Sequence, residues 1–335
     1  MSDTEQPVPV TAASSPQADV PVRHTAVAML VICAAQFVLQ LDFSIVNVAL
    51  PTIQHELNMA PADLQWIVTG YALTFGSLLL AGGRLADLFG RRRLLALGLI
   101  LFAVASLACG LAQWPVMLIA SRIVQGSAGA LVSPAALSLL TTASPEGPAR
   151  NRALAIWQAV TAGGATTGIV AGGLLTQYLG WRAVFLVNPP LIAIMLALVP
   201  RLPAGLPAGA AAVPGGRPPS RRIDGRGATL ITVSLAALIY GLSSGQQHGF
   251  GTAPVVITLV AAVVLMVAFV YTERRIAAPM LPLSIFADAA RRAAVAAMLM
   301  MGAILAGYVY FISLYLQKVQ GYSPVETGLA LLPST

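Results

Sequence analysis

Two ionisable residues stand inside stretches that are otherwise apolar. Asp42 lies in VLQLDFSIVNVAL (38–50), and Arg122 lies in VMLIASRIVQGSAGALVSP (116–134). A carboxyl group in apolar surroundings must pair with a cation, hydrogen-bond to another segment, or carry a proton. Burial favours the neutral acid, whereas a nearby guanidinium favours the carboxylate. A carboxyl held between those two pulls is a candidate proton carrier. A fixed hydrogen bond to a neighbouring helix is the plainer use of the same residue. Gln36, Gln40, Ser44 and Asn47 form a polar stripe on this segment, with Asp42 on the opposite side among Val38, Leu39, Ile45 and Ala49. On the second segment, Arg122, Gln125, Gly126, Gly129 and Ser133 fall on one stripe of a helix that turns ~100° per residue. A basic residue within a membrane-spanning helix costs at least ~2.5 kcal/mol to insert, so it usually faces the bundle interior or water. Arg122 is near the start of its apolar run, where snorkelling to the surface is the alternative.

Three further constellations are candidates. In GGRLADLFGRRRLL (82–95), Gly83 and Gly90 permit tight turns, and Asp87 and Arg91 are four apart, within reach if that turn is helical. Arg91, Arg92 and Arg93 also suit anchoring against anionic lipid, and that role alone accounts for them equally well. Gly164, Gly168 and Gly172 make a G-x-x-x-G-x-x-x-G ridge that favours close helix packing. Tyr308, Phe311 and Tyr315 share one helical face, where they either line a cavity for flat cationic molecules or pack against a neighbour. His24, His55 and His248 are scattered, and Cys33 and Cys109 lie inside apolar runs, so neither a metal site nor a disulfide framework is expected. No cofactor is expected. No nucleophile–base spacing points to an enzyme.

The elements that hold these residues follow from composition. Of 335 residues, 57% are hydrophobic and only 9% charged, against about 25% charged in an ordinary soluble domain. The apolar residues come in runs long enough to cross a ~30 Å hydrocarbon core as helices. Nine full spans are expected, at 25–50, 66–83, 94–111, 115–141, 153–179, 183–199, 228–245, 255–271 and 293–316. A tenth begins near Val325 and is cut by the end of the chain. The net charge of +7 raises the question of nucleic acid, but in such a chain the location of the charges comes first. All but three of the 19 basic residues fall in loops on one side. The exceptions are Arg182 and Lys318 on the other side and Arg122 within a span. The positive-inside rule then places the N-terminus and every even-numbered loop in the cytoplasm, and no nucleic-acid partner is expected. The expected divisions are a disordered tail (1–22), a six-helix bundle (23–199), a Pro/Gly/Arg-rich cytoplasmic linker (200–227), an inserted helix pair (228–290) and the start of a second bundle (291–335).

Six stretches resemble one family. GRLADLFGRRRL (83–94) is similar to the loop signature of the major facilitator superfamily. LDFSIVNVALP (41–51), LIASRIVQGSAGA (118–130), WRAVFLVNPP (181–190), IDGRGATL (223–230) and YLQKVQGYSPVETGLALLP (315–333) resemble motifs of its fourteen-helix drug:proton antiporters, the EmrB/QacA type. The resemblance implies an all-α integral membrane protein of the major facilitator fold, C-terminally incomplete. It implies proton-coupled export of a lipophilic drug or antibiotic across the inner (cytoplasmic) membrane, with the bilayer, protons and the small-molecule substrate as partners. It further implies that the loop at 83–94 acts as a cytoplasmic gate latch, and that Asp42 bears on proton coupling and substrate charge. Ile169 stands where family antiporters usually have Pro after the middle glycine of the ridge, which puts their kink in question. The alternative readings are a transporter of another solute, and a non-transporting remnant or interaction partner.

The charge distribution makes a topological prediction. A cysteine placed at Gln247 should be labelled by a membrane-impermeant reagent from outside, and one placed at Gly216 should be spared. The reverse pattern would overturn the span assignment.

Overall fold

The computed structural model describes the backbone of residues 22–202, 225–276 and 287–322, together with Glu326 and Ala330. The expected tail, the centre of the expected linker and nearly all of the expected tenth span lie outside these residues. Among the described residues every regular element is helical: α1 (Val22–Glu56), α2 (Pro61–Phe89), α3 (Arg91–Gly110), α4 (Pro115–Ala143), α5 (Pro148–Leu179), α6 (Trp181–Leu186), α7 (Asn188–Leu198), α8 (Gly225–His248), α9 (Ala253–Arg275) and α10 (Ala289–Lys318). Among the described residues, eight stretches are long and apolar enough to cross a membrane, α6 and α7 together making one of them. The chain is a multi-pass membrane protein. Helix α10 covers the span expected at 293–316 and opens with Asp288, whose carboxylate accepts the Ala290 N–H at 2.9 Å.

Several boundaries differ from the sequence reading for one reason: hydropathy marks where a helix enters the apolar slab, not where its backbone hydrogen bonds stop. Helix α1 runs on to Glu56, through Pro51. Helix α2 runs on to Phe89, so Gly83 lies inside it and makes no turn. Gly90 alone makes the turn, with φ +93°, a backbone conformation that a side chain disfavours.

The apolar core has two parts. One gathers Ile32, Val38, Leu39, Leu95, Leu99, Phe102, Leu140 and Ile192. The other gathers Leu41, Ile45, Ile53, Leu118, Trp181 and Phe185. Asp42 belongs to the turn of α1 where the two meet.

Small residues let the helices close on that point. Along α5, a Cβ on Gly164, Gly168 or Gly172 would lie 2.9, 2.7 and 2.7 Å from the carbonyl oxygens of Phe37, Leu41 and Ile45, respectively. The glycine ridge therefore rests on three successive turns of α1, backbone against backbone, where Cα–H···O contacts add to dispersion. Helix α5 is continuous through Ile169. Helices α2 and α4 cross equally closely, because a Cβ on Gly126 would come within 2.3 Å of the Tyr71 carbonyl. Helices α8 and α9 pack together, and Ser234 on α8 donates to the Ala262 carbonyl of α9 at 2.9 Å. Helix α8 also meets α2, where Trp66 and Tyr240 stack with centroids 5.7 Å apart. The outer face of α9, with Ile257, Val260, Val264 and Val267, is exposed and suited to lipid.

The ridge yields a paired prediction. Gly168→Ala should lower the stability of the detergent-solubilised protein by about 1–3 kcal/mol, because α1 must be pushed away. Gly163→Ala meets nothing within 4 Å and should be neutral or slightly stabilising. Equal thermal shifts for the two variants would contradict the packing account.

Candidate functional site

Asp42 is fully buried, and the bundle surrounds it with donors. Its Oδ2 accepts from Arg122 Nη1 at 2.6 Å. Its Oδ1 accepts from Gln125 Nε2 at 2.8 Å and from Asn188 Nδ2 at 2.7 Å. One carboxyl on α1 thus joins α4 and α7. The network reaches α3 through Ser106, whose hydroxyl oxygen accepts from Gln125 Nε2 at 2.6 Å and from Asn188 Nδ2 at 3.2 Å. Gln125 Oε1 in turn accepts from Arg122 Nη1 at 2.7 Å, and the Cys109 thiol donates to it at 3.7 Å.

Arg122 is held on every side. Its Nε donates to the Ile67 carbonyl of α2 at 3.1 Å. Its guanidinium lies over the Tyr71 ring, 4.2 Å from the centroid, with the Phe185 ring of α6 at 5.8 Å. Both partners of the ion pair are sealed from solvent, so Arg122 does not snorkel. Its position early in α4 still places it in the interior, because α1, α2 and α6 close around it. Such a pair is only as favourable as its hydrogen bonds, since desolvation of two charges offsets most of their attraction. Here the guanidinium and the carboxylate each have several.

The stripe on α4 divides by depth and direction. Arg122 and Gln125 turn towards Asp42, whereas Gly126 and Gly129 meet Tyr71 and Phe75 on α2. Ser133 reaches Gln36 on α1 at 3.4 Å. The polar stripe on α1 does not share one environment. Ser44 is buried beneath Gly168, and exposed Asn47 bonds back to the Phe43 carbonyl of its own helix at 2.9 Å.

The arginine loop ties helix ends together. Arg91 Nη2 lies 3.4 Å from Asp87 Oδ1, although Gly90 breaks the helix between them. Arg91 Nη1 also contacts Thr142 and, at 3.5 Å, the Ser138 carbonyl. Arg92 donates to the Leu202 carbonyl at 3.2 Å. Both cations thus reach the C-terminal ends of helical segments, where exposed carbonyls favour positive charge. At the opposite end of the bundle, Glu56 accepts from Trp181 Nε1 at 2.8 Å and from Arg182 at 3.0 Å. Tyr308 and Tyr315 on α10 are 41% and 49% exposed. The Phe311 side chain lies outside the described residues.

Sequence reasoning missed Asn188, Ser106 and Tyr71 as members of the network. Asn188 belongs to WRAVFLVNPP, where an Asn before two prolines reads as a helix boundary. Indeed the sixth span is broken at Val187, and Asn188 opens α7. Ser106 is one small hydroxyl in an apolar run and gave no signal. Cys109, read as an apolar filler, is buried but also a donor.

Fold and site together define a multi-pass helical membrane bundle with a sealed charge network where its helices cross. The sequence pattern of the Major Facilitator Superfamily matches residues 32–334, and the chain belongs to that superfamily. It is 41% identical over 308 residues to the cephamycin export protein CmcT of Amycolatopsis lactamdurans, covering 91% of this chain and 62% of that protein. It is 40% identical over 305 residues to the puromycin resistance protein pur8 of Streptomyces alboniger, covering 91% and 59%. The tetracenomycin C resistance and export protein of Streptomyces glaucescens is 36% identical over 307 residues, covering 92% and 55%. The chain therefore spans little more than half the length of these relatives. Among solved structures, the POT family transporter PepTSo superposes with a TM-score of 0.55 at 17% identity, over 93% of this chain and 68% of that one. A bacterial homologue of the lysosomal transporter Spinster gives 0.51 at 21% identity, over 74% and 61%. These two likenesses establish the fold alone.

A double-mutant cycle tests the pair. Arg122→Leu alone should destabilise the bundle by about 3–5 kcal/mol, because it strands a buried carboxylate. Adding Asp42→Asn should recover part of that loss, read as thermal unfolding in detergent. Strictly additive effects would show that the two residues do not interact.

Proposed function

We propose that the chain forms the N-terminal part of a proton-coupled exporter of antibiotics or other lipophilic drugs. The observation that carries this reading is the sealed carboxyl of Asp42, held by Arg122, Gln125 and Asn188 where the core helices meet. The relatives described above, by name exporters of antibiotics or conferring resistance to them, supply the substrate class. In this proposal the membrane is the cytoplasmic one and the N-terminus is inside, as the arginine-rich loops favour. Residues 23–199 form one bundle, 200–227 a linker, 228–290 an inserted pair, and 291–335 open a second bundle. Alternating access follows from the two bundles rocking about a site between them.

The chemistry runs through the ion pair. With Asp42 ionised, Arg122 is bound to α1 and the crossing of α1 with α4 is locked. A proton arriving on Asp42 removes the charge that Arg122 answers, and that crossing loses its strongest tie. Substrate binding and proton binding then favour different arrangements of the same helices, which is the condition for antiport. At the loop end, Asp87, Arg91 and Arg92 hold the ends of α2, α4 and the sixth span together and act as the cytoplasmic latch. The reading involves no enzymatic step and no metal or cofactor.

Everted membrane vesicles carrying the transporter that contains this chain test the reading. Acidifying the vesicle interior should drive drug uptake, and a protonophore should abolish it. Asp42→Asn should reduce proton-driven uptake to background while inserting normally. Asp87→Asn should slow uptake and leave its pH dependence in place. Undiminished uptake against a gradient in Asp42→Asn would reject Asp42 as the coupling residue.

A further inference from the structure

Of the three side chains that bond to Asp42, one is held at a single end. Gln125 has a fixed orientation, since its oxygen accepts from Arg122 and its nitrogen donates to Asp42 and Ser106. Arg122 is fixed by Asp42, Gln125 and the Ile67 carbonyl. Asn188 donates from Nδ2 to Asp42 and Ser106, but its Oδ1 is fully buried with no hydrogen-bond partner. An unpaired carbonyl oxygen in a sealed site carries the cost of its lost hydration. It also stands directly beside the carboxyl proposed to take up protons.

The donor count explains its use. Asp42 Oδ1 faces two N–H donors, from Gln125 and Asn188, and Oδ2 faces a third from Arg122. That arrangement suits a carboxylate. A protonated Asp42 has an O–H to donate, and the three groups that bond to it in this geometry all present donors. A half-turn of the Asn188 amide exchanges its oxygen and nitrogen. Oδ1 then occupies the position 2.7 Å from Asp42 Oδ1 and 3.2 Å from Ser106 Oγ. It can accept from the new carboxylic O–H and from the Ser106 hydroxyl, while Gln125 still donates to both oxygens. Arg122 keeps its bonds to Ile67 and Gln125.

We infer that Asn188 is a positioning residue that turns over with the protonation of Asp42, donating to the carboxylate and accepting from the acid. The inference rests on the reading of Asp42 as the proton carrier. The ionisable groups around Asp42 are Arg122 from α4, Cys109 from α3 and Tyr71 from α2. Among the described residues, α6 and α7 present Phe185 and Asn188 to the network, and α5 presents its glycine ridge to this stretch of α1. Asn188 is thus the one amide there whose orientation is not already fixed. Removing it takes one of three donors from the carboxylate, and from the acid the acceptor that the turned amide supplies. Asn188→Leu should therefore leave the O–H of a protonated Asp42 without that acceptor.

Infrared difference spectra of the purified protein in lipid, recorded while the pH is lowered, provide the test. A carboxylic C=O band that grows in the wild type and is missing in Asp42→Asn reports protonated Asp42. In Asn188→Leu that band should lie at higher frequency, as for an acid whose O–H has lost its acceptor. If Asn188→Leu does not insert, Asn188→Val carries the same expectation. A band unchanged in frequency would overturn the role of Asn188 and leave the proton-carrier reading standing. If no Asp42-dependent band grows at all, the proton-carrier reading fails, and the role of Asn188 falls with it.

Discussion

A full positive charge and a full negative charge lie together in the interior of this bundle, away from water. Nearly everything else in the first six spans answers that constraint. A lone Arg122 or a lone Asp42 would be costly in an apolar slab, and the pair is favourable only with its remaining hydrogen bonds made. The Ile67 carbonyl, Gln125, Asn188 and the Tyr71 ring supply those partners. They come from α2, α4 and α7, so satisfying one ion pair fixes the mutual placement of these helices and α1.

Hydrogen bonds of under 3 Å between side chains on different helices require backbones that approach closely. The glycines at the crossings follow from this. Gly164, Gly168 and Gly172 seat α5 on the carbonyls of α1, and Gly126 seats α4 on α2. Both helices that carry the charged pair are thereby held closely by a neighbour, and their polar side chains meet. The same logic accounts for the arginine loop. Gly90 takes the positive φ that reverses the chain, and Arg91 and Arg92 then reach carbonyls at the ends of other helices.

Much of this was legible in the sequence, for identifiable reasons. Charge is rare in the chain, so Asp42 and Arg122 stood out, and the stripe holding Gln125 gave the direction in which Arg122 faces. The span pattern was readable because apolar length is dictated by the bilayer. Helix ends were not, because α1 and α2 continue as helices beyond the apolar slab. Gly83 was misread as a turn on that account. The third-dimension partners were also hidden. Asn188 and Ser106 are ordinary residues in one dimension, and only the crossing of α3 and α7 beside α1 brings them to the carboxyl.

The central claim is that one buried carboxyl is shared in turn by a proton and by the state that binds substrate. Proton release on substrate binding tests it most directly. An antibiotic whose binding to the purified transporter is established by calorimetry is added in weakly buffered solution containing a pH indicator. The account predicts that binding releases protons from the wild type and none from Asp42→Asn. Equal release from the two proteins, or binding to the wild type without release at any pH, would contradict it.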